Sequence, residues 1–130
     1  MKLFVDANLP PRLARGLNAL LEPDNQIIHA TERFSDATPD LVWMSALSKE
    51  GGWSVITADR KILRNPVERR AFVNSRLIGF FLSPNLQKKK LTLQAARLLQ
   101  LWEQIISFSS TVENGAYQVP EKGNKFRQLS

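Results

Sequence analysis

The chain has 130 residues, no cysteine and one histidine, which excludes disulfides, zinc–thiolate sites, thiol chemistry and histidine-rich metal centres. Its 43% hydrophobic and 23% charged content is that of one ordinary globular domain with its own core. The net charge of +6 is unevenly placed: residues 1–58 hold five basic and seven acidic side chains, residues 59–130 thirteen and five. A basic half beside an acidic one suits a polyanionic partner, and charge alone fits a solubilising surface equally well.

In chain order, Leu3-Phe4-Val5 is a short apolar run that stops at Asp6 and runs through Asn8 to Pro10-Pro11. That reads as a buried strand turning into a helix, with Asp6 at the strand's carboxyl end, where open α/β sheets bind ligands. Leu13, Leu17, Leu20 and Leu21 give a helix over 10–21 its apolar stripe, with Arg12 and Arg15 pointing elsewhere. Pro23-Asp24-Asn25 turns the chain into a second strand at 26–30, where His29 beside Ile27 and Ile28 reads as a hydrogen-bonded structural residue. A polar loop follows, and Thr38-Pro39-Asp40 predicts a helix start with Thr38 as N-cap and Pro39 at the first position. That helix runs to about Glu50, with Leu41, Met44 or Ser45, and Leu47 or Ser48 inward, and Gly51-Gly52 ends it.

Trp53–Thr57 is the clearest strand, leading to a second strand-end acid, Asp59. Asn65-Pro66 opens a helix to about Val73, and Arg76–Leu82 reads as a buried fourth strand. Ser83–Lys90 reads as a loop. Leu91–Phe108 reads as one long helix whose apolar stripe packs against the core or against a second copy, making a homodimer an expectation. Residues 111–130 form a basic, partly flexible extension with a short strand at 116–119 as one element. Alternating strands and helices predict a three-layer α/β/α sandwich on a mainly parallel sheet of four to five strands. No apolar run reaches the ~18 residues of a membrane span, and the first strand begins at once, so the expectation is a cytoplasmic protein without membrane contact.

In a parallel sheet, Asp6, Asp59 and the first-turn Asp40 fall along one edge, so the three carboxylates can converge. Without Cys or His, such a group selects Mg²⁺ or Mn²⁺. Such an ion offsets the repulsion between the acids and activates a water against a phosphodiester. Each acid also has a plain structural reading, as a turn cap or a favourable partner of a helix dipole. Asn8 and Thr57 sit beside them as hydrogen-bonding support, and Glu32 and Asp36 are weaker extra acids. Arg12, Arg15, Arg60, Lys61 and Arg64 are candidate phosphate contacts, whereas Lys88-Lys89-Lys90 reads as exposed loop. A phosphatase with Asp6 as nucleophile wants a second acid where Asn8 stands. A phospho-receiver wants a lysine where the fourth strand ends in Leu82-Ser83.

Val5-Asp6-Ala7-Asn8-Leu9-Pro10, Arg33-Phe34 with Thr38-Pro39-Asp40, and Ile56-Thr57-Ala58-Asp59-Arg60-Lys61-Ile62 with Arg64-Asn65-Pro66 together resemble the PIN-like domain family. The similarity is to its compact branch of VapC-type toxins and covers roughly residues 1–82, within a domain taken as 1–110. It implies a metal-dependent endoribonuclease, with Asp6, Asp40 and Asp59 holding Mg²⁺ or Mn²⁺ and RNA and an antitoxin protein as partners. Family sites have a fourth acid after the Thr-x-Asp motif. Here that stretch is Arg60-Lys61-Ile62-Leu63-Arg64-Asn65, which leaves Asn65 or the more distant Glu68 to contribute. A catalytically inactive RNA- or protein-binding module is the alternative.

Overall fold

The structure is a computed structural model that describes residues 1–130. Its elements are β1 (Lys2–Val5), α1 (Pro11–Leu21), β2 (Gln26–His29), a short 3-10 turn (Ala30–Glu32), α2 (Asp40–Glu50), β3 (Trp53–Thr57), α3 (Lys61–Arg64), α4 (Pro66–Val73), β4 (Ile78–Leu82), α5 (Pro84–Gln87), α6 (Leu91–Gln100), α7 (Trp102–Thr111), β5 (Gly115–Val119) and β6 (Arg127–Gln128). The strands form one sheet in the order β2-β1-β3-β4-β5-β6, parallel except for the antiparallel β6. The α/β/α sandwich expected from the sequence is present, with six strands instead of four to five.

Strand alternation divides the core in two. Leu3, Val5, Ile56, Phe80 and Val119 face the layer of α1, α6 and α7. Phe4, Val55, Phe81 and Ala116 face Trp43, Met44 and Leu47 of α2, Ile62 of α3 and Phe72 of α4. Every residue of β3 and β4 is buried, as central parallel strands require. Gly79 of β4 is where the second layer comes closest. A Cβ there would stand 2.6 Å from Phe72 Cζ and 2.8 Å from Phe81 Cε1. Both rings are fully buried and have no room to withdraw, so Gly79→Ala is expected to cost about 1–3 kcal/mol by overpacking. A lowered urea midpoint at unchanged slope is the result that checks it.

Several sequence expectations change. The long helix over 91–108 is two helices broken at Leu101, and the loop at 83–90 contains α5, capped by the Ser83 hydroxyl on the Leu86 N–H at 3.2 Å. Pro39, not Thr38, is the N-cap of α2, and the Thr38 hydroxyl pairs with Ser35. Leu20 and Leu41, read as inward, are exposed, and Trp43 turns inward instead. Arg76 precedes β4 and does not belong to it: its guanidinium donates to the last carbonyls of α2, Ser48 O and Lys49 O, at 2.9–3.1 Å. Residues 111–130, read as an extension, supply β5 and β6 and put Tyr117, Val119 and Phe126 into the core. No helix is long and apolar enough to cross a membrane.

Candidate active site

The site is built on the carboxyl ends of β1 and β3. The Asp6 backbone N–H still donates to Ile56 O at 2.9 Å, so Asp6 is held as a rung of the sheet just past the end of β1. Its side chain, only 6% exposed, accepts from the Ala7 N–H at Oδ1 (2.7 Å) and from the Thr57 hydroxyl at Oδ2 (2.9 Å). The Thr57 hydroxyl in turn accepts from Asn8 Nδ2 at 3.1 Å and from the Asp59 N–H at 3.0 Å. One buried hydroxyl thus ties Asp6, Asn8 and the backbone that carries Asp59. Asp59 turns the chain into α3, its Oδ1 accepting the Lys61 N–H at 2.8 Å.

Asp40 opens α2. The helix lies on the face toward which Phe4 points, and Trp43 stacks on Phe4 with ring centroids 5.0 Å apart. That buried indole donates from Nε1 to Asp40 Oδ1 at 2.9 Å and fixes the carboxylate. Sequence reasoning missed Trp43, because α2 has no clear amphipathic face to show which side turns inward. Across the edge, Asn65 caps α4 by accepting from the N–H groups of Val67 and Glu68 at 3.0 and 3.1 Å. Asn65 is thereby spent on the helix end, and the cap sets Glu68 in the first turn of α4.

The charges of Asp40 and Asp59 bear on both Asp6 and Glu68. Burial raises the Asp6 pKa most; the bonds from Thr57 and Ala7 oppose that rise, and the charges of Asp40 and Asp59 add to it. The Glu68 pKa is also raised, first by burial and then by Asp40 and Asp59. Neither ion pair in the molecule, Arg33–Glu50 and Lys89–Glu121, involves any of these four. The four carboxylates therefore carry no ion-pair partner among the side chains. The all-oxygen donor set suits a hard divalent ion. As the side chains stand, no three acidic groups are gathered closely enough to ligate one ion together. One or two carboxylates, with water filling the remaining positions, is the way Mg²⁺ is commonly held.

The remaining candidates are distributed as follows. His29 is buried, its Nε2 paired with Leu9 O at 2.6 Å and its Nδ1 with the Thr31 hydroxyl at 2.7 Å, so it fastens the β1–α1 loop to β2. Glu32 is taken up by the His29 N–H at 2.6 Å, and Asp36 is exposed in the loop. Arg12 and Arg15 are exposed on the first turns of α1, and Lys61 and Arg64 are exposed on α3. Arg60 is half-buried and reaches Gln118 of β5. A family model described as a PIN-like domain matches residues 1–84, a span that holds all four acids. Comparison with curated proteins found no match, and neither did comparison with solved structures.

Proposed function

Since the chain belongs to the PIN-like domain family, we propose that it is a metal-dependent endoribonuclease whose centre is Asp6, Asp40, Asp59 and Glu68. The observation that supports this reading is that Asp6 and Asp59 follow the adjacent strands β1 and β3 at their carboxyl ends, joined through the Thr57 hydroxyl, and neither they nor Asp40 or Glu68 belongs to an ion pair. When bound, Mg²⁺ or Mn²⁺ supplies an activated water and neutralises charge developing on the phosphate. Asp6 and Asp59 are the inner groups, set by the Thr57 hydroxyl, and Asp40 is held from the far side by Trp43. Glu68 serves as the fourth acid, the place that the stretch 60–65 leaves empty of carboxylates. Arg12, Arg15, Lys61 and Arg64, exposed and outside every ion pair, guide the RNA backbone to this edge.

The test is cleavage of a mixed single-stranded RNA with Mg²⁺, Mn²⁺ or EDTA. Cutting that needs the ion supports the reading, and a folded wild-type protein that never cuts removes it. Glu68→Gln is expected to lower the metal-dependent rate about 10–100-fold while leaving the melting temperature near that of the wild type. A rate equal to the wild type's would strike Glu68 from the centre. A toxin held by an antitoxin protein is the cellular form of the proposal; growth arrest by the induced wild type, absent with Asp6→Asn, is its check. The second reading, an inactive RNA-binding module, is favoured by the absence of three closely gathered acids. RNA retained but never cut is its signature.

A further inference from the structure

β5 and β6 lie outside the family-matched segment, and they bring two arginines together without a counter-charge. Arg60, next in sequence to Asp59, donates from Nη2 to Gln118 Oε1. Arg127 Nη2 stands 3.5 Å from that same oxygen. Two guanidinium groups thus share one neutral acceptor. Neither Arg60 nor Arg127 belongs to an ion pair, and neither does the adjacent Arg64. Arg60 Nε is buried and has no hydrogen-bond partner. A fold gains nothing from holding two like charges on one neutral acceptor. An anion against the exposed Arg127 guanidinium, beside that of Arg60, would relieve the repulsion.

The sheet register fixes where the pair lies. Thr57 is opposite Phe81, Phe81 opposite Gln118, and Gln118 opposite Arg127, so the hydroxyl that holds Asp6 and the glutamine that holds the arginines lie in one row near the carboxyl ends of the parallel strands. Asp6 and Gln118 are three strands apart, about 14 Å at ordinary strand spacing. We propose that Arg60 and Arg127, bridged by Gln118, form a second phosphate site for single-stranded RNA, a few nucleotides along the strand from the acidic centre. This rests on the ribonuclease reading for its ligand, and it assigns a function to the segment after residue 111. The site fixes the direction in which a strand crosses the edge, and it contacts the backbone without reading sequence.

Gln118→Glu tests the pair without dismantling it. The new carboxylate supplies the missing counter-ion in place, so the fold is kept or strengthened while the anion site is quenched. Binding of a fluorescent single-stranded RNA in EDTA is measured over a salt series for the wild type, Gln118→Glu, Arg127→Gln and Lys49→Gln. Lys49 lies at the far end of α2 and controls for net charge. Gln118→Glu and Arg127→Gln are each expected to weaken binding about tenfold and to flatten the salt slope by ~0.7, the value for one lost single-strand phosphate contact. Gln118→Glu should do so with an equal or higher melting temperature, and Lys49→Gln should change affinity by less than about twofold.

Wild-type affinity and slope in Gln118→Glu would overturn the site, as would an equal loss in Lys49→Gln. The ribonuclease reading fails separately. If the wild type never cuts but Gln118→Glu still loses RNA, the acids lose their role and the arginine pair keeps its own. If the wild type binds no RNA in EDTA, the arginine site is lost; if it also never cuts with the ion, both readings are lost, and an acidic protein surface becomes the ligand to seek.

Discussion

Asp6→Asn is expected to abolish metal-dependent RNA cleavage, a fall of ~10³-fold or more, because it removes the most buried charge of the acidic centre. The variant also has a thermodynamic signature that activity alone does not give. The folded-state pKa of Asp6 is raised above its ordinary 3.8, chiefly by burial. Between 3.8 and that raised value the folded protein binds more protons at this site than the unfolded chain does, so the wild type loses stability as pH rises through the window. Above the window the penalty is present in full. Asparagine carries no such charge, so the melting temperature of Asp6→Asn relative to the wild type should climb as pH passes through the window and then level off. Below pH 3.8 the relative shift should be smallest.

A divalent ion should oppose the same penalty. Mg²⁺ or Mn²⁺ is expected to stabilise the wild type at neutral pH by about 2.7 kcal/mol at a hundred times the dissociation constant, read as a raised melting temperature. Asp6→Asn should show much less of that gain. Differential scanning fluorimetry across pH, with and without the ion, reads both effects. A wild type insensitive to the ion, with cleavage retained in the variant, would falsify the acidic edge as a metal-dependent centre.

The second large effect is expected at Thr57. This residue is fully buried, and its hydroxyl donates to Asp6 while accepting from Asn8 and from the backbone of Asp59. Valine keeps the shape and the strand propensity but leaves those three groups without their partner. Thr57→Val should cost about 1–3 kcal/mol in stability. Its larger consequence is for the site: the bond from Thr57 holds the Asp6 pKa down, so its loss lets burial push that pKa further up. A carboxylate must be deprotonated to hold an ion, so metal affinity or rate should fall about 10–100-fold and the pH–rate profile should move to higher pH. Thr57→Ser, which keeps the hydroxyl, should restore most of both. A variant that is merely less stable, with an unmoved profile, would reduce Thr57 to a structural bond.

The parts of the molecule written in local chemistry were legible before any coordinates. β1 is a short apolar run closed by Asp6, β3 ends two residues before Asp59, α1 begins at Pro11, and α4 begins at an Asn-Pro pair, so their ends follow from the chain itself. His29 was legible as a structural residue for the same reason, since its neighbours are buried aliphatics. What escaped depends on contacts distant in sequence. α2 exposes Leu41 and Val42 and buries Trp43, an orientation set by the Phe4 ring beneath it. The break at Leu101 has neither glycine nor proline to announce it. β5 was legible as a short strand at 116–119, but its place in the sheet was not, because it follows a polar stretch and needs β4 to pair with it. Glu68 was visible as an acid but not as a neighbour of Asp40, because that requires α2 and α4 to meet.

The lateness of β5 matters for a chain made from its amino terminus. All four acids and the first four strands precede residue 83, whereas the strand that pairs with β4 begins at Gly115. While the chain is being synthesised, β4 therefore waits as an open edge of Ile-Gly-Phe-Phe-Leu, its N–H and C=O groups unpaired and its side chains apolar. Nascent chains are most prone to pair with one another in that interval. Arrival of Gly115–Val119 ends it, and the two-residue β6, bearing Arg127, then leaves a finished edge that is short and charged. The same few residues that close the sheet against self-association complete the arginine pair, so the hazard of the nascent edge disappears as Arg127 comes to rest beside Arg60.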